Sequence, residues 1–153
     1  MTDLYSTSHP RFPAPSLQVT ASPGIDSVSA TVFLALRPDA SDEVLEQAIA
    51  AARRENAAVQ AVVFGTDTTT APSTSSLSEC TKLGAALAEA GLEYAVHRSG
   101  PDPAEQILGL ADDHDAALIV MSTKRRSPVV KLLLGSSAQQ VILEAEFPVL
   151  LVK

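Results

Sequence analysis

The chain has 153 residues and a formal net charge of −7, with 46% hydrophobic residues, a single cysteine and no tryptophan. This length suits one domain with a core of Ala, Val, Leu and Ile, and the negative charge argues against binding to nucleic acid or to an anionic membrane surface, since both depend on neutralising phosphates. An internal disulfide is excluded, the apolar runs are too short to cross a bilayer, and the first residues lack a secretory signal pattern, so we expect a cytoplasmic protein.

Residues 1–28 are rich in Pro, Ser and Thr and show no hydrophobic periodicity. This composition predicts a flexible N-terminal tail with a little order near residues 17–19, either a disordered extension or a docking arm. A single α/β domain is then expected to occupy residues 29–153.

Beyond the tail, five apolar segments have the length and the nearly continuous apolar composition of buried strands. Amphipathic segments alternate with them, and Asp102-Pro103 is the clearest helix start, because a capping residue precedes a proline at the first helical position. Right-handed crossovers then give a parallel sheet with helices on both faces. The predicted strands are residues 31–36, 58–64, 92–98, 117–121 and 149–152.

Ligands of such sheets bind beyond the carboxyl ends of the strands, where the strand order reverses, which favours the loops after the first and fourth predicted strands. The last helix opens at Gly135-Ser136, where unpaired backbone N–H groups and the helix dipole favour an anion. The candidate ligand-binding residues are the end of the fourth strand, the basic loop and this helix start: Met121, Ser122, Lys124, Arg125, Gly135, Ser136 and Ser137.

Two of these features have simpler explanations. The side chains of Lys124-Arg125-Arg126 either bind an anion or form a loop that is exposed to solvent. Exposure to solvent is the commoner case for consecutive charged residues. Gly135 and the serines after it either bind an anion or only begin the helix, since Ser136 or Ser137 can act as a cap.

The chain resembles the universal stress protein family at residues 118–121, 132–136 and 148–152, and the order of elements agrees from Ala30 onward. The resemblance implies a Rossmann-like fold, related to that of the adenine nucleotide alpha hydrolases, with five parallel strands in the order 3-2-1-4-5 and helices on both faces. It also implies a regulatory or protective role under stress, and ATP as the ligand of those members that bind a nucleotide.

The family's nucleotide-binding members share two loops that are altered here. One loop carries the motif Gly-x-x-Gly, followed by nine residues and then Gly-Ser/Thr. This chain keeps the spacing and the final Gly135-Ser136, but Ser122 and Arg125 stand at the first two glycine positions. Glycine lets backbone N–H groups approach a phosphate closely, and Arg125 brings a side chain into that space. After the first strand, where those members have an Asp, this chain has Arg37 or Leu36, and arginine accepts no hydrogen bond.

The sequence contains no catalytic constellation: it has no Walker loop and no nucleophile elbow, and its histidines lack metal-ligand spacing. We therefore expect a non-catalytic member that binds ATP weakly or not at all, without a resident cofactor or metal. The alternatives are a member that binds ATP or AMP through a modified phosphate loop and, from another class, a nucleotide-dependent enzyme of the same fold. The sequence leaves open whether the chain binds an unidentified protein partner.

The last predicted strand raises a separate expectation. It is apolar and should lie at an edge of the sheet, and an unpaired apolar edge invites a second copy. The resemblance implies the same, because family members commonly dimerise through this strand. We therefore expect a homodimer formed through residues 148–153 by two-fold antiparallel pairing; the alternative is a monomer whose edge is protected by the tail.

Overall fold

The computed structural model describes residues 17–64, 74–122 and 135–153. Within these residues strands and helices alternate along the chain, as the sequence predicts. The elements are β1 (Gln18–Ala21), β2 (Thr31–Leu36), α1 (Asp42–Glu55), β3 (Ala58–Val63), α2 (Thr74–Glu89), β4 (Tyr94–Arg98), α3 (Pro103–Asp113), β5 (Leu118–Ser122), α4 (Ser136–Glu144) and β6 (Val149–Val152), with a short 3-10 turn, Ile25–Ser27, after β1.

The strands form one twisted sheet in the order β1-β4-β3-β2-β5-β6. Strands β2 to β6 are parallel and keep the order that was predicted for five strands. The central strand, β2, pairs with β3 on one side and β5 on the other, so the chain reverses its direction of winding there. The carboxyl ends of these three strands therefore meet at one edge of the sheet, where a ligand site is expected.

The prediction of five strands was wrong by one, because β1 lies in the range that was predicted to be a flexible tail. This strand pairs antiparallel with β4, with Thr20 opposite Val96 and Ala21 opposite Ala95, and its register is irregular between Gln18 and Thr20. A four-residue strand carries too little periodicity to be seen in the sequence. Its formation is a tertiary effect, because it satisfies the backbone groups of β4, which would otherwise lie at an open edge.

Both faces of the sheet are buried, which explains why its strands are almost uniformly apolar. Helices α1 and α2 pack on one face through a cluster that includes Leu34, Val44 and Leu87. Helices α3 and α4 pack on the other through a cluster that includes Phe33 and Ile107. The helix start predicted at Asp102 is confirmed, since its side chain accepts a hydrogen bond from the backbone N–H of Glu105.

A buried hydroxyl fastens the segment after β1 to the start of β4. Ser22 Oγ accepts a hydrogen bond from the N–H of Tyr94 at 2.8 Å and donates one to the Glu93 carboxylate.

We expect Ser22→Ala to lower the free energy of unfolding by about 1–3 kcal/mol, because the Tyr94 N–H loses a partner in a largely buried place. Urea unfolding measures the change, and the exposed Ser29→Ala is the control, with a change within about 0.5 kcal/mol. Equal effects of the two substitutions would contradict the role of Ser22.

Candidate ligand-binding site

A pocket opens where the carboxyl ends of β2, β3 and β5 meet the start of α4. Each of these elements contributes to it, so the pocket lies at the point where the strand order reverses. Its lining residues are Arg37, Phe64, Ser122, Gly135, Ser136, Ser137 and Ala138.

Ser122, the last residue of β5, lies at this pocket and carries an unpaired buried hydroxyl. The residue is 3% exposed, and its Oγ has no hydrogen-bond partner within residues 17–64, 74–122 and 135–153. Side chains alternate along β5, and Met121 packs in the cluster beneath α3 and α4, so the Ser122 hydroxyl points to the opposite face, on which α1 and α2 pack. Phe64 and Ala138 belong to the cluster beneath α3 and α4, so the hydroxyl points away from them.

Arg37 follows directly after β2 and lies against the ring of Phe64. The guanidinium carbon is 5.7 Å from the centre of that ring, a distance at which a cation and an aromatic face attract each other. Nε donates to Oδ1 of Asp39 across 3.4 Å. The Arg37 side chain is 10% exposed, whereas that of Asp39 is 43% exposed. The positive charge thus lies inside the pocket wall, and its carboxylate partner lies towards solvent.

The start of α4 is capped by backbone geometry alone. Gly135 is the N-cap residue, with φ −70° and ψ 160°, and no side chain accepts a hydrogen bond there. The helix's first backbone hydrogen bond runs from the N–H of Gln139 to the carbonyl of Gly135. The preceding N–H groups, on Ser136, Ser137 and Ala138, have no partner within the helix and lie at the pocket. Side-chain capping therefore does not account for the two serines.

Of the residues predicted to bind a ligand, Ser122, Gly135, Ser136 and Ser137 line one pocket. Met121 does not line it: the side chain is fully buried in the cluster beneath α3 and α4. Neighbouring side chains of a strand point to opposite faces, so the side chain of Met121 faces α3 and α4, whereas that of Ser122 faces α1 and α2. The predicted residues Lys124 and Arg125 lie outside the described residues.

Sequence reasoning missed Phe64. It placed Arg37 in one of the two candidate ligand loops but interpreted the residue as the loss of a carboxylate. Each stands directly beyond the carboxyl end of a strand, Phe64 after β3 and Arg37 after β2, and the two strands are parallel neighbours in register. The signal that could have revealed the pair was their common position relative to the two strand ends. The contact itself depends on the fold.

A second polar pair lies in the sheet, away from the pocket-lining residues. His97 Nε2 is 2.9 Å from Oε1 of Gln60, so the neutral ring donates its Nε2–H to a buried amide oxygen. Burial lowers the pKa of His97, and the neighbouring charge of His114 lowers it further. Burial, more than the hydrogen bond to Gln60, therefore favours the neutral imidazole of His97.

This pair predicts a stability that depends on pH. The unfolded chain protonates His97 near pH 6.5, but the folded protein does so only at lower pH. Its contribution to stability is therefore present above about pH 6.5 and is lost as the pH falls towards the folded pKa. Urea unfolding across this range should show the decline, and His97→Gln should reduce it. An unchanged decline in the variant would assign the effect to other groups.

Within the described parts of the chain, no three His, Cys, Asp or Glu side chains are placed to hold a metal ion. No helix in those parts is long and apolar enough to cross a membrane. The fold and the pocket together define a doubly wound α/β domain with a pocket at its switch point.

The universal stress protein family model matches residues 31–153, and the chain belongs to this family. A universal stress protein of Mycolicibacterium smegmatis is 43% identical to the chain over 68 residues, which are 44% of this chain and 52% of that protein. The alignment thus spans about half the length of this curated relative. Strand β1 lies outside the segment that matches the family model.

Solved structures support the same assignment. A universal stress protein from Archaeoglobus fulgidus is 28% identical, with a TM-score of 0.66 over 81% of this chain and 98% of the other. A universal stress protein from the same organism in complex with dAMP is 24% identical, with a TM-score of 0.63 over 82% of this chain and 99% of the other. The second likeness shows the fold alone.

Proposed function

We propose that this chain is a non-catalytic regulatory or protective universal stress protein domain that binds ATP weakly or not at all, and that it acts in the cytoplasm. The observation that carries the proposal is the place of Arg37. The family's nucleotide binders have a carboxylate after this strand, where it can accept hydrogen bonds from a ligand. Here a buried guanidinium occupies the pocket wall, and it can only donate.

The composition of the pocket supports the absence of catalysis. Its described lining residues include no histidine and no carboxylate, so no side chain there is suited to accept a proton at neutral pH. The carboxylate of Asp39 is engaged with Arg37. A nucleotide-dependent enzyme would need a general base or a metal site; the described pocket lining contains no histidine or carboxylate, and the described residues contain no group of three placed to hold a metal.

The alternative is a domain that binds ATP or AMP through a modified phosphate loop. The complex of the Archaeoglobus fulgidus protein with dAMP supports it, because that protein has the same fold. So does the retained Gly135-Ser136 at the start of α4. This feature favours an anion at the pocket but supplies no recognition of a base.

The nucleotide content of the natively purified protein tests the proposal. Heat denaturation releases bound nucleotides, and anion-exchange chromatography quantifies them. We expect far less adenine nucleotide than protein, with no ATP hydrolysis during incubation with magnesium and ATP. Nucleotide in amounts close to that of the protein would favour the alternative, and hydrolysis above the buffer rate would contradict the non-catalytic assignment.

The proposal includes a homodimer formed through β6. This strand is last in the sheet order, and no described strand pairs with its outer side. The N–H of Ile119 donates to the carbonyl of Pro148, so Leu150 points its backbone groups towards β5. By the same alternation, Val149 and Leu151 point theirs outward. Two copies related by a two-fold axis can pair these groups and close both edges.

A further inference from the structure

We infer that the outer edge of β4 is a strand-binding site that this chain closes with its own residues 17–22, which we call the strap. Release of the strap lets a second copy of the chain pair at the same edge. The strap contains β1 and lies outside residues 31–153, the segment that matches the family model. The inference is independent of the proposed dimer through β6, because β4 and β6 lie on opposite sides of the central strand β2.

Three residues of β4 turn their backbone groups towards the strap. The carbonyl of Tyr94 accepts a hydrogen bond from the N–H of Ser22 at 2.8 Å. The N–H of Arg98 donates to the carbonyl of Leu17 at 2.9 Å. Val96 lies between them and faces the same way, because the direction of the backbone groups alternates along a strand. The edge of β4 therefore carries regularly spaced donors and acceptors that require a neighbouring strand.

Two glycines leave room for the side chains of the strap. A Cβ added to Gly84 of α2 would lie 2.8 Å from Cγ2 of Thr20, and one added to Gly100, after β4, would lie 3.1 Å from Cδ1 of Leu17. Glycine in the interior of a helix is less stable than alanine. At Gly84 the close approach of the strap gives the glycine a structural reason. The edge thus accommodates the side chains of this segment as well as its backbone.

The strap has few contacts that hold it in place. Strand β1 has four residues, its register is irregular, and none of the four is buried. Val19 packs only partly buried against the core, and Ser22 is the one buried residue of the strap. A segment with little buried apolar surface opens at a lower free energy than the core does. We therefore expect the strap to open as a unit while β4 stays paired with β3.

The uncovered edge of β4 fits a second copy of itself. Antiparallel pairing about a two-fold axis at Val96 places each Arg98 opposite the Tyr94 of the other copy, so no like charges meet. The strap is a poorer edge for such pairing, because it is short and irregular and is followed by Pro23, which has no N–H. Short and irregular edge strands protect sheets against association. The strap therefore replaces a regular edge with one that resists pairing.

Amide hydrogen exchange of the full chain, followed by nuclear magnetic resonance, tests the release of the strap. The N–H of Val96 faces the strap, whereas that of the adjacent Ala95 faces β3. Opening of the strap alone exposes the first and leaves the second paired. We expect the protection factor of Val96 to be at least about tenfold lower than that of Ala95. Equal protection of the two amides would overturn the inference.

Thr20→Pro tests whether release opens the edge to a second copy. Thr20 pairs with Val96, so proline removes a donor to β4 from the middle of the strap. The matched control is Ala21→Pro, because the N–H of Ala21 points away from β4 by the same alternation. Light scattering after size exclusion should give at least twice the native mass for Thr20→Pro and the native mass for Ala21→Pro. The same mass for the two folded variants would overturn the inference.

Gly84→Gln displaces the strap without changing its sequence. The glutamine side chain fills the space of Thr20, and glutamine favours a helix more than glycine does, so α2 is retained. The matched control is Gly109→Gln in α3, since no atom lies within 4 Å of a Cβ added there. Circular dichroism establishes which variants are folded. If Thr20→Pro is not, Gly84→Gln carries the test, with a raised mass expected and the native mass contradicting the inference.

A synthetic peptide of residues 17–24 shows which surface associates in the released variants. It should return Thr20→Pro to the native mass, because the edge of β4 and its glycine are unchanged there. It should leave Gly84→Gln associated, because the glutamine occupies the space of the peptide's threonine. An associated Thr20→Pro whose mass the peptide does not lower would assign the association to another surface and overturn the inference.

Discussion

Replacing Leu151 with proline is expected to convert the proposed dimer into a monomer while each sheet stays intact. The backbone N–H of Leu151 points away from β5, so it is free to donate to a second copy. Proline removes this donor and places its ring at the outer edge. Natural proteins tolerate proline on edge strands for the same reason, because the inner ladder loses no hydrogen bond.

Leu151→Ala is the matched control for this substitution. Both variants lose the leucine side chain, which packs on the cluster beneath α3 and α4, but only proline removes the N–H. Light scattering after size exclusion should give twice the chain mass for the native protein and for Leu151→Ala, and the chain mass for Leu151→Pro. A native monomer at high micromolar concentration would contradict the dimer, and a dimeric Leu151→Pro would exclude pairing through this edge.

Restoring the family's ligand loops is expected to strengthen ATP binding. The variant combines Arg37→Asp, Ser122→Gly and Arg125→Gly. It replaces a guanidinium in the pocket wall with a carboxylate that can accept hydrogen bonds, and the glycines let backbone N–H groups approach a phosphate. We expect the affinity for ATP to rise at least about tenfold.

A gain of affinity makes this prediction informative, because a misfolded variant would not bind ATP more tightly. Calorimetric titration with ATP measures the affinity. Arg54→Asp, combined with the same two glycine substitutions, separates the effect of position 37 from that of net charge. An ATP affinity that does not rise, in a variant that melts like the native protein, would contradict the assignment of weak binding to these loops.

The sequence was sufficient for the parts of the fold that depend on local pattern. Helix α3 begins where Asp102 and Pro103 predicted it, and the central strand β2 spans the predicted residues 31–36. Strand β1 could not be predicted, because Thr20 and Ala21 become part of the sheet only by pairing with a strand more than seventy positions further along the chain. Its stabilisation comes from a non-local contact, which carries no local periodicity.

The candidate site likewise has parts that the sequence predicted and parts that it could not predict. Gly135 and Ser136 were identifiable because a helix start has a sequence pattern, and the structure places both at the pocket. The position of Arg37 over Phe64 could not be predicted, because this contact joins the ends of two strands that are distant in sequence. Met121 was included because it adjoins Ser122, but the alternation of side chains along β5 buries it in the core.

Calorimetric titration of the native protein with ATP tests the central claim most directly, which is that this family member has an altered nucleotide pocket. Arg37 lies in the pocket wall, directly after β2, and its guanidinium carbon is 5.7 Å from the centre of the Phe64 ring. We predict no saturable heat with micromolar ATP, under conditions in which the variant with restored loops binds. A micromolar dissociation constant for ATP in the native protein would contradict this account.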